Sequence, residues 1–181
     1  NDSSFHFEAE TSAALGFGVA HAPADPIALH AGLRGGSTFP VLGPTVAPEL
    51  AFDALDRLVA QSMVHVQEGD VPRFFLLETV RQFARRITDA DEVIELRQRH
   101  ATWFLAEAGR LDELSRTSAF LGARPAVVAD EPNLRAALSC VLGDGRTDAA
   151  YQMVVGLEVP LALIGRQAAT HAMADAVLVA N

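Results

Sequence analysis

The chain has 181 residues and a formal net charge of −9; half of its residues are hydrophobic and 20% are charged. This composition predicts a folded chain of one domain or two small ones, and it excludes a mostly disordered protein. The acidic balance argues against a general polyanion binder, because contacts with phosphates need a positively charged surface.

The first 47 residues are predicted to be the least ordered part of the chain. No hydrophobic period is sustained over residues 1–26, so we expect a poorly packed arm there with at most one short helix. Residues 27–33 could form a turn or two of helix, which the glycine pair after it would end. Prolines and a glycine then break any longer element over residues 37–48.

A helix and a hairpin are predicted next. Apolar residues at helical spacing indicate a helix over residues 49–62, with Pro48 in its first turn, where a missing N–H costs nothing. The alternating run 63–66 and the apolar run 73–77 indicate two short strands. They are joined by a glycine-containing turn over residues 67–70, so they should pair as a β-hairpin.

The second strand should lead directly into a helix, and this strand-to-helix corner is the central structural prediction. The apolar period changes at this point, and the new stripe consists of Val80, Phe83, Ala84 and Ile87. Thr79 and Gln82 have the spacing of a capping box, in which each side chain bonds to the backbone of the other residue. The helix is therefore predicted from Thr79 to about Thr88.

A long helix is predicted after Asp89, which has the residue type and position of an N-cap. From Asp91 onward, one helical face carries Val93, Leu96, His100, Trp103, Phe104, Glu107, Leu111 and Leu114. We interpret His100 as a hydrogen-bonded core histidine rather than a metal ligand. Trp103 and Phe104 are interpreted as core aromatics rather than a cofactor site.

Further helices are predicted towards the end of the chain. Gly122 and Pro125 are expected to interrupt the helical region, after which helices are predicted from Asp130 to Gly143, over 149–164 and over 167–179. Short loops between consecutive helices imply antiparallel neighbours, and hence stacked helical hairpins. If the array ends there, Ala169, Met173, Ala176 and Val177 should form an uncovered face that promotes oligomerisation or poor solubility.

No motif for catalysis, cofactor binding or metal binding is present. The chain contains no lysine and one cysteine, Cys140, which excludes a phosphate-loop lysine, a Schiff base, an internal disulfide and a multi-cysteine metal site. We therefore predict a non-enzyme without a metal or cofactor, in a reducing, cytoplasmic setting. The longest apolar stretch, 153–164, is shorter than the roughly 20 residues that span a bilayer, so a core helix is expected there and no membrane contact.

Arginines cluster over residues 81–99 and form a candidate basic contact patch. Its members are Arg81, Arg85, Arg86, Arg97 and Arg99. Because four carboxylates lie among them, the segment is nearly neutral, and duplex binding by it is not the favoured interpretation. Glu78 and Arg81, three residues apart at a helix start, are expected to form an exposed ion pair that adds only a few tenths of a kcal/mol.

Residues 55–64 (LDRLVAQSMV) and 73–84 (RFFLLETVRQFA) resemble the winged-helix part of large bacterial signal-transduction (STAND-type) ATPases. Those proteins are the LuxR-type and AfsR/SARP-type transcriptional regulators. Arg99-His100-Ala101, before the two aromatics, and residues 131–138 (EPNLRAAL) resemble the start of the helical repeats that follow in them. Residues 33–38 resemble the glycine pair that begins the same winged-helix domain. The similarity covers roughly residues 48–165.

The resemblance implies a mainly α fold in three parts. Residues 1–47 would be an arm with a degraded start of the winged helix. Residues 48–90 would be a winged-helix remnant with one β-hairpin, and residues 91–181 a truncated array of stacked antiparallel, tetratricopeptide-like helical hairpins. In that family an ATPase domain binds ATP or ADP, the winged helix reports the nucleotide state, and the repeats bind a protein partner.

This chain therefore resembles a C-terminal piece that lacks the ATPase domain and binds no cofactor itself. In the related plant resistance proteins, a Met-His-Asp signature at this corner places a histidine against the nucleotide. The aligned residues here are Leu76, Leu77 and Glu78, and leucine cannot bond to a phosphate. Glu78 and Arg81 remain as candidates that face the ATPase domain. The alternative function is a DNA-binding winged-helix protein.

Overall fold

The computed structural model describes residues 13–20, 28–35, 48–67 and 73–180. Over these ranges the chain is mainly helical, as predicted, with six α-helices and two antiparallel β-hairpins. In chain order the elements are β1 (Ala13–Ala20), β2 (Ala28–Gly35), α1 (Pro48–Ala60), β3 (Val64–Gln67), β4 (Arg73–Leu76), α2 (Glu78–Ile87), α3 (Ala90–Ser115), α4 (Phe120–Gly143), α5 (Thr147–Leu163) and α6 (Gln167–Ala180). None of the helices in the described ranges is long and apolar enough to cross a bilayer.

The β1–β2 hairpin replaces the helix that was predicted over residues 27–33, so that prediction is wrong. Leu15 pairs with Leu33, and Val19 pairs with Leu29. The larger apolar residues thus alternate with small or polar ones on both strands, which is the period of a strand. Residues 13–20, which were expected to belong to a poorly packed arm, form β1, and residues 33–35, which resemble the start of the winged-helix domain, belong to β2. Apart from β1 and β2, residues 1–47 lie outside the described residues.

The predicted order of helix, hairpin and helix is confirmed over residues 48–87. Leu55 of α1 and Val64 of β3 are both buried, so the helix and the hairpin share a small core. Met63 links them, because its N–H donates to the Leu58 carbonyl at 2.9 Å and its own carbonyl accepts from the Leu77 N–H at 3.1 Å. These bonds fix the point at which β4 ends and α2 begins.

The predicted strand-to-helix corner is confirmed, but the prediction of a capping box between Thr79 and Gln82 is wrong. Helix α2 begins at Glu78, with Leu77 as its N-cap and no side-chain hydrogen bond at the cap. Gln82 Nε2 instead donates to Glu78 Oε1 at 2.8 Å, one helical turn back. The helix starts one residue earlier than predicted, which places Thr79 inside the first turn rather than at the cap.

Helix α3 follows the predicted pattern. Asp89 caps it, and its carboxylate accepts from the Asp91 N–H at 2.8 Å. His100 and Phe104 are buried, with ring centroids 4.6 Å apart, and Trp103 packs against the edge of Phe104 at the same distance. His100 and Phe104 are therefore confirmed as buried residues, and Trp103 is partly buried and packs against the core.

Helix α4 is continuous, so the predicted interruption at Gly122 and Pro125 is wrong. Every seventh residue of the helix is fully or almost fully buried: Phe120, Val127, Leu134 and Val141. Burying each of these side chains stabilises the fold by about 1.5–3 kcal/mol. Together the four side chains contribute about 6–12 kcal/mol, at least as much as the combined penalty of about 6 kcal/mol for the two prolines inside α4, Pro125 and Pro132. Packing of this face therefore overrides the local helix-breaking residues.

The last three helices form one core with α3. Helix α3 packs against both α4 and α5, and α5 packs against α6. Helices α5 and α6 match the predicted ranges, and Gly165 in the loop between them has φ +76°, a conformation that favours glycine. The prediction of an uncovered apolar face on α6 is wrong. Of its four residues only Ala176 is exposed, while Ala169, Met173 and Val177 are buried in this core. These three side chains face the other helices rather than solvent.

Candidate interaction surfaces

Helix α2 leaves most of its apolar face uncovered. Phe83 and Ile87, the largest residues of its stripe, are 62% and 67% exposed. No other described helix or strand packs extensively on α2. An amphipathic helix of this length gains most of its stability from packing of its apolar face. We call Phe83 and Ile87 the α2 face, and it is a candidate docking surface.

At the start of α2, a buried arginine pairs with a half-exposed carboxylate. Arg81 is only 5% exposed, and its guanidinium forms the predicted ion pair with Glu78. The prediction that this pair is exposed is wrong for Arg81. Because successive helical residues are turned by about 100°, Arg81 lies on the side of α2 opposite Phe83. The orientation of α2 that exposes Phe83 therefore buries Arg81.

The predicted basic patch does not form one exposed surface. Arg81 is buried, and Arg99 pairs with the carboxylate one turn earlier on α3. Arg86 and Arg97 are exposed, and the side chain of Arg85 lies outside the described part of the structure. Exposed carboxylates lie between the two exposed arginines along the chain, at Asp89, Asp91, Glu92 and Glu95. The described part of this segment presents mixed charge rather than a basic stripe.

A shallow cleft of about 370 Å³ lies between the first half of α3 and the end of α4. Arg97, His100, Cys140 and Asp144 are among its lining residues. Burial raises the pKa of the Cys140 thiol and Asp144 acts in the same direction, while Arg97 opposes them. Because the thiolate is the reactive form, the raised pKa makes Cys140 a poor nucleophile at neutral pH. Cys140 is therefore not an activated nucleophile in this cleft.

Two ion pairs lie among the helices of the core, one within α3 and one that starts on α4. On α3, Glu107 is buried and accepts two short hydrogen bonds from Arg110, at 2.5 and 2.6 Å. This bonding raises the pKa of Arg110, and the charge of Asp130 on α4 adds to the effect. Glu131 of α4 also contacts Arg166, at 3.6 Å, in the loop before α6. The first pair lies within α3 and the second ties α4 to the loop before α6, so we assign both a structural role.

Sequence reasoning missed an exposed apolar stripe on α5. It consists of Tyr151, Val155, Val159 and Leu163, which are 64%, 49%, 42% and 50% exposed. The opposite side of α5 is buried in the core through residues such as Met153, Leu157 and Leu161. The spacing of four residues was visible in the sequence. The helix is apolar on both sides, however, and such a pattern is typical of a fully buried helix. We call these four residues the α5 stripe.

Two further observations bear on how these surfaces are interpreted. Among the described residues, no three histidine, cysteine, aspartate or glutamate side chains come together as metal ligands would. No family model, curated protein sequence or solved structure matches the chain. The candidate surfaces must therefore be interpreted from their own geometry, and both of the most prominent ones are apolar and exposed.

Proposed function

We propose that this chain is a regulatory, protein-interaction part of a transcriptional regulator of the LuxR or AfsR/SARP kind, without catalytic activity of its own. In this proposal residues 48–90 are a winged-helix remnant, and the helices from residue 91 onward are a tetratricopeptide-like array. ATP or ADP is bound by an ATPase domain outside these 181 residues. The chain couples the nucleotide state of that domain to the binding of a protein partner by the array.

The main observation in support of the proposal is the uncovered α2 face. Because Phe83 and Ile87 are about two-thirds exposed, covering them completely would stabilise a complex by about 1–2 kcal/mol per side chain. Neighbouring apolar side chains exposed on one helix face are a feature of protein contact sites. The same helix begins at the corner that resembles the nucleotide-reporting part of the regulators, which makes the ATPase domain the proposed occupant.

Glu78 and Arg81 would position this surface rather than contact nucleotide. Arg81 holds the Glu78 carboxylate at the first turn of α2, and Gln82 bonds to the same carboxylate. The half-exposed carboxylate would then lie at the rim of the docked domain. Helix α2 is joined to α3 by residues 88 and 89 only, and Asp89 caps α3. A docked domain that shifts α2 would therefore act on the start of the array.

The proposal is tested by titrating the 181-residue chain with the separately expressed ATPase domain of the same protein, in ATP and in ADP. Binding is expected to depend on the nucleotide, and the double substitution Phe83→Ser/Ile87→Ser should weaken it at least about tenfold. Leu121→Ser is the matched control, because Leu121 of α4 is as exposed as Ile87. Unchanged binding by the double variant would contradict the proposal, as would a gene with no phosphate-binding loop upstream of Asn1.

A further inference from the structure

The α5 stripe bears on the kind of partner that the helical array binds. We propose that this stripe docks an amphipathic helix of a partner protein whose apolar residues are flanked by lysine or arginine. The inference rests on the proposed function, since it names the partner class and the place where that partner sits. It uses a different surface from the α2 face.

The geometry of the stripe suits a helix. Four apolar residues at a spacing of four form one ridge along three turns of α5, a length of about 18 Å. Ridges with this spacing pack into the grooves of a second helix, which is the commonest way in which helices meet. The other side of α5 is already occupied by the core, so the stripe is the part of this apolar helix that remains to be covered.

The charged residues beside the stripe indicate the charge that a partner should carry. Asp148 and Glu158 are the only charged residues of α5, and both are exposed. Asp148 lies three residues before Tyr151, and Glu158 lies three residues after Val155, so each neighbours the stripe on the helix surface. A second copy packed on the stripe would bring the two Glu158 carboxylates close together in a parallel or an antiparallel arrangement, whereas a basic partner would pair with them. Charge complementarity therefore favours a basic amphipathic helix over self-association.

Fluorescence anisotropy of a labelled peptide provides the test. The probe is a helical peptide of leucine and lysine, about four turns long, titrated with the 181-residue chain at physiological ionic strength. Micromolar binding is expected, and a leucine–glutamate peptide of the same length and pattern should bind at least about tenfold more weakly. Equal binding of the two peptides would overturn the proposal.

Substitutions on the stripe should locate the binding site. Val155→Ser/Val159→Ser should weaken peptide binding at least about tenfold, because these residues lie at the centre of the ridge. Leu121→Ser, on the exposed side of α4, should leave it unchanged. Circular dichroism melts of each variant establish that the fold is retained. Peptide binding that survives the double substitution would show that the peptide binds elsewhere, which would overturn the proposal.

A second pair of variants separates local pairing from long-range attraction. Asp148→Asn/Glu158→Gln should weaken binding about three- to tenfold and reduce its salt dependence. Asp56→Asn/Glu113→Gln changes the net charge equally at exposed sites on α1 and α3 and should have little effect. If both pairs weaken binding equally, the peptide is attracted only by the net charge of −9 and the proposal fails.

Two controls identify other outcomes. Sedimentation velocity should show a monomer; a dimer abolished by Val155→Ser/Val159→Ser would mean that a second copy covers the stripe, and this would overturn the proposal. Phe83→Ser/Ile87→Ser should not change peptide binding, since the α2 face is a separate surface. In the unsubstituted chain, ATPase-domain binding without peptide binding would refute the present inference alone, and peptide binding without ATPase-domain binding would refute the proposed function.

Discussion

Gly156 of α5 lies against the backbone of Ala108 on α3, so closely that a Cβ atom at Gly156 would be 3.1 Å from the Ala108 carbonyl oxygen. The contacted atoms belong to the backbone of a helix, so they cannot move aside as the end of a flexible side chain can. The absence of a side chain at Gly156 therefore sets how closely the two helices approach.

Gly156→Val is expected to lower the free energy of unfolding by about 1–3 kcal/mol, the usual cost of forcing extra atoms into a packed core. The intrinsic helix preference of valine over glycine is worth less than 1 kcal/mol and cannot compensate. Urea denaturation followed by circular dichroism measures the change. Gly109→Ala, on α3 with open space around its Cβ position, is the control and should stabilise the chain by about 0.5–1 kcal/mol. Stabilisation by Gly156→Val would mean that α3 and α5 are not in close contact.

Glu78→Gln is expected to destabilise the chain by about 1–2 kcal/mol, because it leaves the buried guanidinium of Arg81 facing a neutral amide. The cost stays below the roughly 3–5 kcal/mol of a fully buried pair, since Glu78 is half exposed. Glu95→Gln breaks the more exposed pair with Arg99 and should cost less than about 0.5 kcal/mol. Urea denaturation of both variants provides the comparison, and equal costs would show that the burial of Arg81 adds nothing to its pair.

Duplex DNA is expected not to bind the chain below the millimolar range at physiological salt, because the exposed arginines of the 81–99 segment lie among carboxylates. Fluorescence anisotropy with a random-sequence duplex measures this. Arg86→Ala/Arg97→Ala should leave the result unchanged. Micromolar, salt-dependent binding that this double variant abolishes would instead support the DNA-binding winged-helix alternative.

The thiol of Cys140 is expected to react slowly with iodoacetamide at neutral pH and faster as the pH rises above the ordinary thiol pKa. Burial and Asp144 raise its pKa, so the reactive thiolate is scarce at pH 7. Asp144→Asn removes one raising influence and should increase the rate at a given pH, whereas Arg97→Ala removes a lowering influence and should decrease it. A folded-state rate at pH 7 equal to that of the urea-unfolded chain would contradict the raised pKa.

Local signals in the sequence were sufficient for the centre of the chain. The change of apolar period after Leu77 predicted the corner between β4 and α2, and Asp89 predicted the start of α3. Both depend on residues a few positions apart, whose interactions form within one turn or one hairpin. The stripe of α3 likewise predicted the burial of Phe104, because a long amphipathic helix has one side that can be covered.

Packing between residues far apart in the chain decided the features that local signals did not predict. The sequence places Pro125 in α4 as a helix breaker, yet residues of the same helix that are buried against its neighbours keep it continuous. For the candidate surfaces, the sequence determined which residues of α2 and α5 are apolar, but not which of them a neighbouring helix covers. Coverage depends on contacts between residues far apart in the chain. Only the tertiary structure could therefore place Arg81 inside and leave Phe83 and the α5 stripe exposed.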